Sequence, residues 1–253
     1  MTTYQGSVGR ILRWPVKSLR GEEIEQARFD GRGMAGDRAY ALVDERDGRE
    51  GRRLTVRQRA EMLHWSSGYP AEGAEPALTE PVLTGPDGTV WRWGDPGLAG
   101  ALAESLGTPL RLRAADGQQD RGPTVLVTTE ASRAALEEEM GAPVDLLRFR
   151  PNLHLDLDAP AFAEEDWTDG TVLTVGEVEL AVTGEVTGPC IRCAVPSWDP
   201  EGRERWPQLQ KWLIERHANK FGVIMRVTRH GTARRGDAVA ARPVAARPVA
   251  AGA

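Results

Sequence analysis

Only two cysteines occur in the 253 residues, Cys190 and Cys193, in a Cys-x-x-Cys arrangement. Two thiols cannot build a disulfide framework, a four-cysteine iron–sulfur cluster or a four-cysteine zinc site. Histidine is nearly as scarce. His64, His154, His217 and His230 have no zinc-like spacing, so each reads as a surface or structural residue. No apolar run reaches the length of a membrane span, so none is expected. The first residues, Met1 to Ser7, have neither a basic nor an apolar segment. They do not read as a secretory signal, and we expect a cytoplasmic protein. A basic excess is also missing: the formal net charge is −5, which argues against a general nucleic-acid binder. Any anion site must be a local basic cluster inside an acidic protein. With no heptad pattern and no long exposed apolar face, a monomer is expected.

What is present suffices for a core. With 40% apolar and 27% charged residues, the chain can form one large domain or two small ones. The first hundred residues read mostly as strands, with Val8, Leu12 and Trp14 at even spacing and an apolar run from Ala39 to Val43. Asp30-Gly31, Asp47-Gly48 and Asp87-Gly88 mark turns. A short helix should carry Leu98, Leu102 and Leu106, capped by Asp95 and ended by Gly107. The polar stretch Ala114 to Pro123 reads as a boundary. Val125 to Thr128 then reads as a strand entering a helix, with Thr129 as N-cap and Gly141 just past its end. Leu153, Leu155 and Leu157 alternate with His154, Asp156 and Asp158, a half-buried strand with a wet face. Two strands should flank Gly176-Glu177. A helix from Pro207 should bury Leu209, Trp212 and Leu213, and Val223, Met225 and Val227 mark a final strand. The repeat Ala-Ala-Arg-Pro-Val at 240–249 cannot bury a core and reads as disordered tail. The fold class is α+β, β-rich, with few helices.

Gly31-Arg32-Gly33-Met34-Ala35-Gly36 matches G-x-G-x-x-G. A dinucleotide site needs a helix directly afterwards, whereas Asp37 to Val43 reads as a strand, so turn glycines are the better account. Cys190-Ile191-Arg192-Cys193 admits three readings: a dithiol with a following helix, two inert buried thiols, or one soft metal ligand favoured by Arg192. The turn Ser197 to Gly202 stops any helix soon after. Basic and hydroxyl residues recur at turns rather than on regular faces, in Trp14-Pro15-Val16-Lys17-Ser18, Gly36-Asp37-Arg38, Leu54-Thr55-Val56-Arg57-Gln58 and Arg148-Phe149-Arg150-Pro151-Asn152. Singly, each reads as solvated charge. Together they can converge on an anion, because Arg forks match phosphate oxygens.

Those segments, with Arg192-Cys193 before Asp199-Pro200, Phe221-Gly222 and Gly236-Asp237, resemble in order and spacing the MOSC family. Within it they are most similar to the amidoxime-reducing components and their bacterial relatives. The resemblance runs from about Val8 to Val239. It implies a β-barrel-like N-terminal MOSC subdomain at 7–113, a β-barrel MOSC domain at 114–239, and a tail at 240–253. It also implies a molybdenum cofactor (molybdopterin with Mo), with Cys193 as metal ligand and catalytic centre and Cys190 as an accompanying thiol. By the same matching, Lys17, Ser18 and Arg38 contact the pterin or its phosphate, Thr55 and Arg57 line the pocket, Thr129 offers a hydroxyl at a helix start, and Arg150 and Asn152 complete the cradle. Pyridoxal phosphate binding is also attached to the family.

The implied reaction is reduction of N-hydroxylated, N-oxygenated small molecules. Electrons would come from a separate ferredoxin, flavoprotein or b-type cytochrome, and Asp199 and His154 are the candidate proton donors. The alternative is a molybdenum cofactor or sulfur carrier without reductase activity. Ile191 and the stretch Ala194 to Trp198 differ from the reductases beside the metal ligand, and so bear on the substrate.

Overall fold

The structure is a computed structural model that describes residues 3–70, 76, 79–120, 122–191 and 193–244. Its first half contains strands β1 (Tyr4–Arg13), β2 (Glu22–Ile24), β3 (Gln26–Asp30), β4 (Gly33–Met34), β5 (Tyr40–Asp44), β6 (Ser66–Gly68), β7 (Val82–Thr84) and β8 (Val90–Arg92). Helix α1 (Leu98–Leu106) and β9 (Leu110–Ala114) follow. The second half contains β10 (Val125–Thr129), α2 (Glu130–Met140), β11 (Leu153–Leu157), β12 (Val172–Val175), β13 (Val178–Ala181) and β14 (Gly188–Ile191). Helix α3 (Pro207–His217), β15 (Lys220–Arg229), β16 (Gly231–Arg234) and β17 (Ala238–Arg242) complete it.

Seven strands close into a barrel in the order β10-β11-β1-β17-β12-β13-β15, with β15 returning to β10. Only β10 and β11 run parallel. Closure leaves the ring no free edge. Period-two alternation explains why these segments take part: Leu153, Leu155 and Leu157 turn inward, and so do Leu173 with Val175 and Val223 with Met225. Strand β14 lies outside the ring and pairs with the first half of β15, Gly188 opposite Ile224 and Ile191 opposite Lys220. Strand β2 pairs with β1, and β3 and β4 form a sheet with β16, while the remaining strands of the first half form two smaller sheets, β5-β9 and β6-β7-β8. They pack with α1 around a second core containing Leu42, Leu54, Met62, Leu83, Leu98 and Leu102. A third core joins α2 and α3 through Leu136, Leu209, Leu213 and the stacked rings of Phe149 and Phe221.

The expected strands and all three helices are present, with local differences. Helix α1 starts after Gly97. Asp95 instead accepts the Arg92 amide at 2.7 Å in the preceding turn. Trp212 is only half-buried. The strand through Val223 and Met225 is followed by two more. His154 is 5% exposed rather than wet, because Thr128 and Glu130 hold its two ring nitrogens at 3.0 and 2.8 Å. Strand β1 belongs to the closed barrel and pairs with β11 and β17. Ala27, Phe29 and Met34 also pack into the barrel core, between Leu19 and Leu42 of the second, so the chain passes between the two cores four times. Residues 240–242, read from sequence as tail, are part of β17, where Ala241 is fully buried between β1 and β12. The two-residue step of Val239 and Ala241 satisfies the barrel with small side chains. Val244, also read as tail, accepts the Thr168 amide and donates to the Thr171 hydroxyl, both at 2.9 Å, and residues 245–253 lie outside the described residues.

Candidate functional site

Turns and strand ends build the site. Lys17 and Ser18 follow β1, and Arg38 sits between β4 and β5. Arg150 and Asn152 lead into β11, while Cys190 lies in β14 and Cys193 follows that strand. Together these line a cavity of about 140 Å³, which also includes Gln118, Asp120, Val56 and Ile191. Ser18 (φ 73), Arg38 (φ 50) and Arg150 (φ 56) adopt left-handed backbone, which costs a residue with a Cβ roughly 1–2 kcal/mol. Strain gathered at one place is a mark of a functional site. Backbone bonds hold these turns: the Lys17 amide donates to the Tyr40 carbonyl at 2.8 Å and the Arg38 amide to the Trp14 carbonyl at 2.8 Å.

The charges do not balance within the cavity. Asp37 is buried and accepts from the Trp14 amide at 3.0 Å, Arg38 Nη1 at 2.5 Å and Gln118 Nε2 at 2.8 Å. Arg38 also donates to Asn152 Oδ1 at 3.3 Å and to the Arg150 carbonyl at 3.0 Å. Lys17 Nζ lies 2.7 Å from Asp120, and burial lowers its pKa against the pull of that carboxylate. Arg150 has no carboxylate at ion-pair distance among the described residues. It donates to the Leu19 carbonyl at 2.7 Å and stacks over Trp14. Burial, reinforced by Arg38, pushes its pKa down to about 9, so it stays protonated at neutral pH. Three cations therefore share two carboxylates, an arrangement that receives an anion readily.

Neither cysteine is in a disulfide. Cys190 is buried, and Cys193 is half-buried on the cavity wall. Pro189 lies within β14 and not at a helix start, so the helix that a thioredoxin-like dithiol uses does not follow Cys190. Arg192 lies outside the described residues. Gly33 (φ 98) begins the short strand β4 and Gly36 (φ 75) sits in the turn between β4 and β5, so a strand and not a helix follows the motif.

The structure thus brings Lys17, Ser18, Arg38, Arg150, Asn152 and Cys193 together. It does not bring the side chains of Thr55, Arg57 or Thr129 to this cavity. Val56 lines it, whereas Thr55 is occupied by Gln58 and Arg57 is exposed. Thr129 stands at the far end of β10 from the lining residue Leu126. There its hydroxyl caps α2 and meets Glu164. Asn152 serves the backbone as well: its Oδ1 accepts the Leu126 amide at 3.1 Å. Neither proposed proton donor lies on this wall. His154 is bound elsewhere, and Asp199 lines an adjoining larger cavity. Sequence reasoning missed Asp37, Gln118 and Asp120. The last two sit in the polar stretch read as a boundary, where polarity was the one available signal.

Among solved structures, the crystal structure of the YUAD protein from Bacillus subtilis aligns with a TM-score of 0.52 at 13% identity, covering 96% of this chain and 98% of that one. It shares the fold. YiiM from Geobacillus stearothermophilus aligns with a TM-score of 0.35 at 19% identity, over 47% of this chain and 53% of that one. No curated protein matches the sequence at a significant level. The family model described as the MOSC N-terminal beta barrel domain matches residues 5–79, and that of the MOSC domain matches residues 117–240. With both models found in that order over most of its length, the chain belongs to the MOSC family, whose members are associated with the molybdenum cofactor.

Proposed function

We propose that the chain is a molybdenum-dependent oxidoreductase that reduces N-hydroxylated or related N-oxygenated compounds. One observation carries the reading: Cys193 opens onto a cavity walled by Lys17, Arg38 and Arg150, where strained turns converge. A single thiolate cannot hold a metal alone, so the remaining ligands must arrive with a cofactor. The donor set fits molybdopterin, with a soft sulfur for the metal and an unsatisfied cationic wall for an anionic, hydrogen-bonding organic group. Cys193 would ligate the metal, and Lys17, Ser18, Arg38 and Arg150 would hold the organic part.

When bound, the cofactor supplies two-electron redox chemistry. The overall change takes an N-hydroxyl compound, two electrons and two protons to the amine-level product and water. The chain's own groups bind and orient. Arg38 is locked by Asp37 and Asn152, so its fork is pre-aimed. Lys17 holds a proton at Nζ on the cavity wall, and its lowered pKa favours giving that proton up. Electrons would come from a separate redox protein such as a ferredoxin, flavoprotein or b-type cytochrome.

The test is molybdenum content by mass spectrometry after expression in a cofactor-producing host, beside Cys193→Ser and a cofactor-deficient host. Near-stoichiometric metal that drops in the variant, followed by amidoxime reduction with an artificial donor, is expected. Metal without turnover, together with transfer of cofactor to an apo-enzyme, would favour a carrier. No metal at all would sink the oxidoreductase reading and move the sulfur-carrier alternative ahead.

A further inference from the structure

A second cavity, of about 480 Å³, lies against the first, and the two share Arg150 and Val195. That volume suits a small organic molecule. Trp14, Trp198, Leu12, Leu63 and Leu147 supply apolar wall, and arginines and carboxylates make up much of the rest. The carboxylates there are already engaged. Glu23 grips Arg10 through both oxygens at 3.1 and 2.7 Å, and Glu22 accepts from Arg13 at 2.8 Å. Asp145 caps the Leu147 amide at 2.8 Å. Asp199 accepts the amides of Arg203 and Glu204 at 2.7 and 3.0 Å. Glu201 lies 3.4 Å from Arg203 and 3.8 Å from Arg20.

Two guanidinium groups on this wall remain under-coordinated. Arg148 makes no ion pair among the described residues. Its Nη1 donates to the Pro196 carbonyl at 3.3 Å, and its guanidinium lies 5.7 Å from the centre of the Trp206 ring. Arg20 donates to the His64 carbonyl at 3.3 Å and has only the distant Glu201 as counter-charge. In both, the Nε is buried without a hydrogen-bond partner. Burial also pushes the Arg148 pKa down against the pull of Asp199, Asp145 and Glu204. Four arginines and five carboxylates line the cavity. The carboxylates are hydrogen-bonded or ion-paired, while Arg20 and Arg148 keep N–H donors that no carboxylate satisfies at hydrogen-bond distance among the described residues. Guanidinium forks bind carboxylate and phosphate oxygens strongly, and the indole walls favour a flat apolar body.

We propose that Arg20 and Arg148 form an oxyanion subsite in the larger cavity, holding the carboxylate of an aromatic N-oxygenated substrate whose reacting end passes Arg150 toward Cys193. The phosphate of the cofactor is the other source of the same chemistry. The inference rests on the reading of the Cys193 cavity as the reaction centre. It adds a substrate class, acidic aromatic N-hydroxy compounds, to that reading.

The cofactor-loaded full chain is titrated with 4-carboxybenzamidoxime and with neutral benzamidoxime, followed by tryptophan fluorescence without turnover. The carboxylated compound is expected to bind at least about tenfold more tightly. Arg148→Gln and Arg20→Gln each lose most of that preference, while Arg148→Lys keeps part of it. Molybdenum content in the same variants forms the second arm. If metal falls in both Gln variants, returns in Arg148→Lys and no ligand preference exists, the subsite stands and belongs to the cofactor phosphate. Equal affinities with unchanged metal overturn the proposal, and so does a preference that survives both substitutions. Because binding is read without turnover, a lack of reductase activity counts against the proposed function and leaves this result intact.

Discussion

The guanidinium of Arg150 lies 4.2 Å from the centre of the Trp14 ring, and the indole nitrogen of Trp14 donates at 2.8 Å to the carbonyl of Pro151, the next residue along. One side chain therefore fixes both the charge and the backbone that carries it. Arg150→Ala is expected to reduce molybdenum content roughly tenfold. Arg150→Lys should retain an intermediate amount, because the charge survives but the fork that reaches Leu19 does not. Equal metal in all three proteins would remove Arg150 from the cradle.

Asp37 and Arg38 form a buried pair, and removing one charge strands the other. Asp37→Asn is expected to destabilise the fold by about 3–5 kcal/mol. Urea unfolding measures this directly, and an unchanged midpoint would show that the pair is dispensable.

Glu164 is 1% exposed beneath the start of α2, where Ser132 donates to it at 2.8 Å. Burial lifts its pKa from 4.5 to about 7. The folded chain then keeps a proton between those values that the unfolded chain has lost, so stability falls as pH rises across that window and levels off above it. At roughly 1.4 kcal/mol per pH unit, the loss is on the order of 3 kcal/mol. Glu164→Gln removes this component. The stability gap between variant and wild type, measured at pH 5 and pH 8, should shift in the variant's favour. A gap that stays constant with pH argues against the raised pKa.

Thr129 accepts the Ser132 amide as the N-cap of α2. Thr129→Ala should cost about 1 kcal/mol of stability and leave molybdenum content unchanged. Metal loss in this variant at preserved stability would restore Thr129 to the cofactor site.

Gly222 has φ +75, and a Cβ there would lie 2.6 Å from the Val127 carbonyl oxygen across the β10–β15 pairing. Gly222→Ala combines left-handed strain with overpacking and is expected to destabilise by about 2–4 kcal/mol. A thermal melt within a degree or two of wild type would contradict this geometry.

These particulars show which features the sequence carries in readable form. The α2 caps were legible because Thr129 and Gly141 perform local work that leaves a residue-type signature. The alternating leucines of β11 were legible for the same reason. His154 was not, because its burial depends on Thr128 and Glu130, partners that only the sheet and helix bring near. The convergence of Lys17, Arg38 and Arg150 could be read because charged residues at turns have little other local purpose. Asp120 and Gln118 left no such trace, since a polar stretch looks the same whether it faces water or a cavity. Ala240 to Arg242 misled for a similar reason: small residues suit both a loose tail and a crowded barrel seam.

That seam sets an order of events. Strand β17 lies between β1 and β12, so the ring stays open, with two bare edges, until the ribosome has delivered residues 238–242. The pairing of Tyr4 with Ala241 joins positions far apart along the chain, a slow closure by the general dependence of folding rate on contact separation. Until it happens, the nascent barrel offers unpaired strands to any neighbour. A truncation before residue 238 should therefore yield an aggregating chain rather than a smaller stable one.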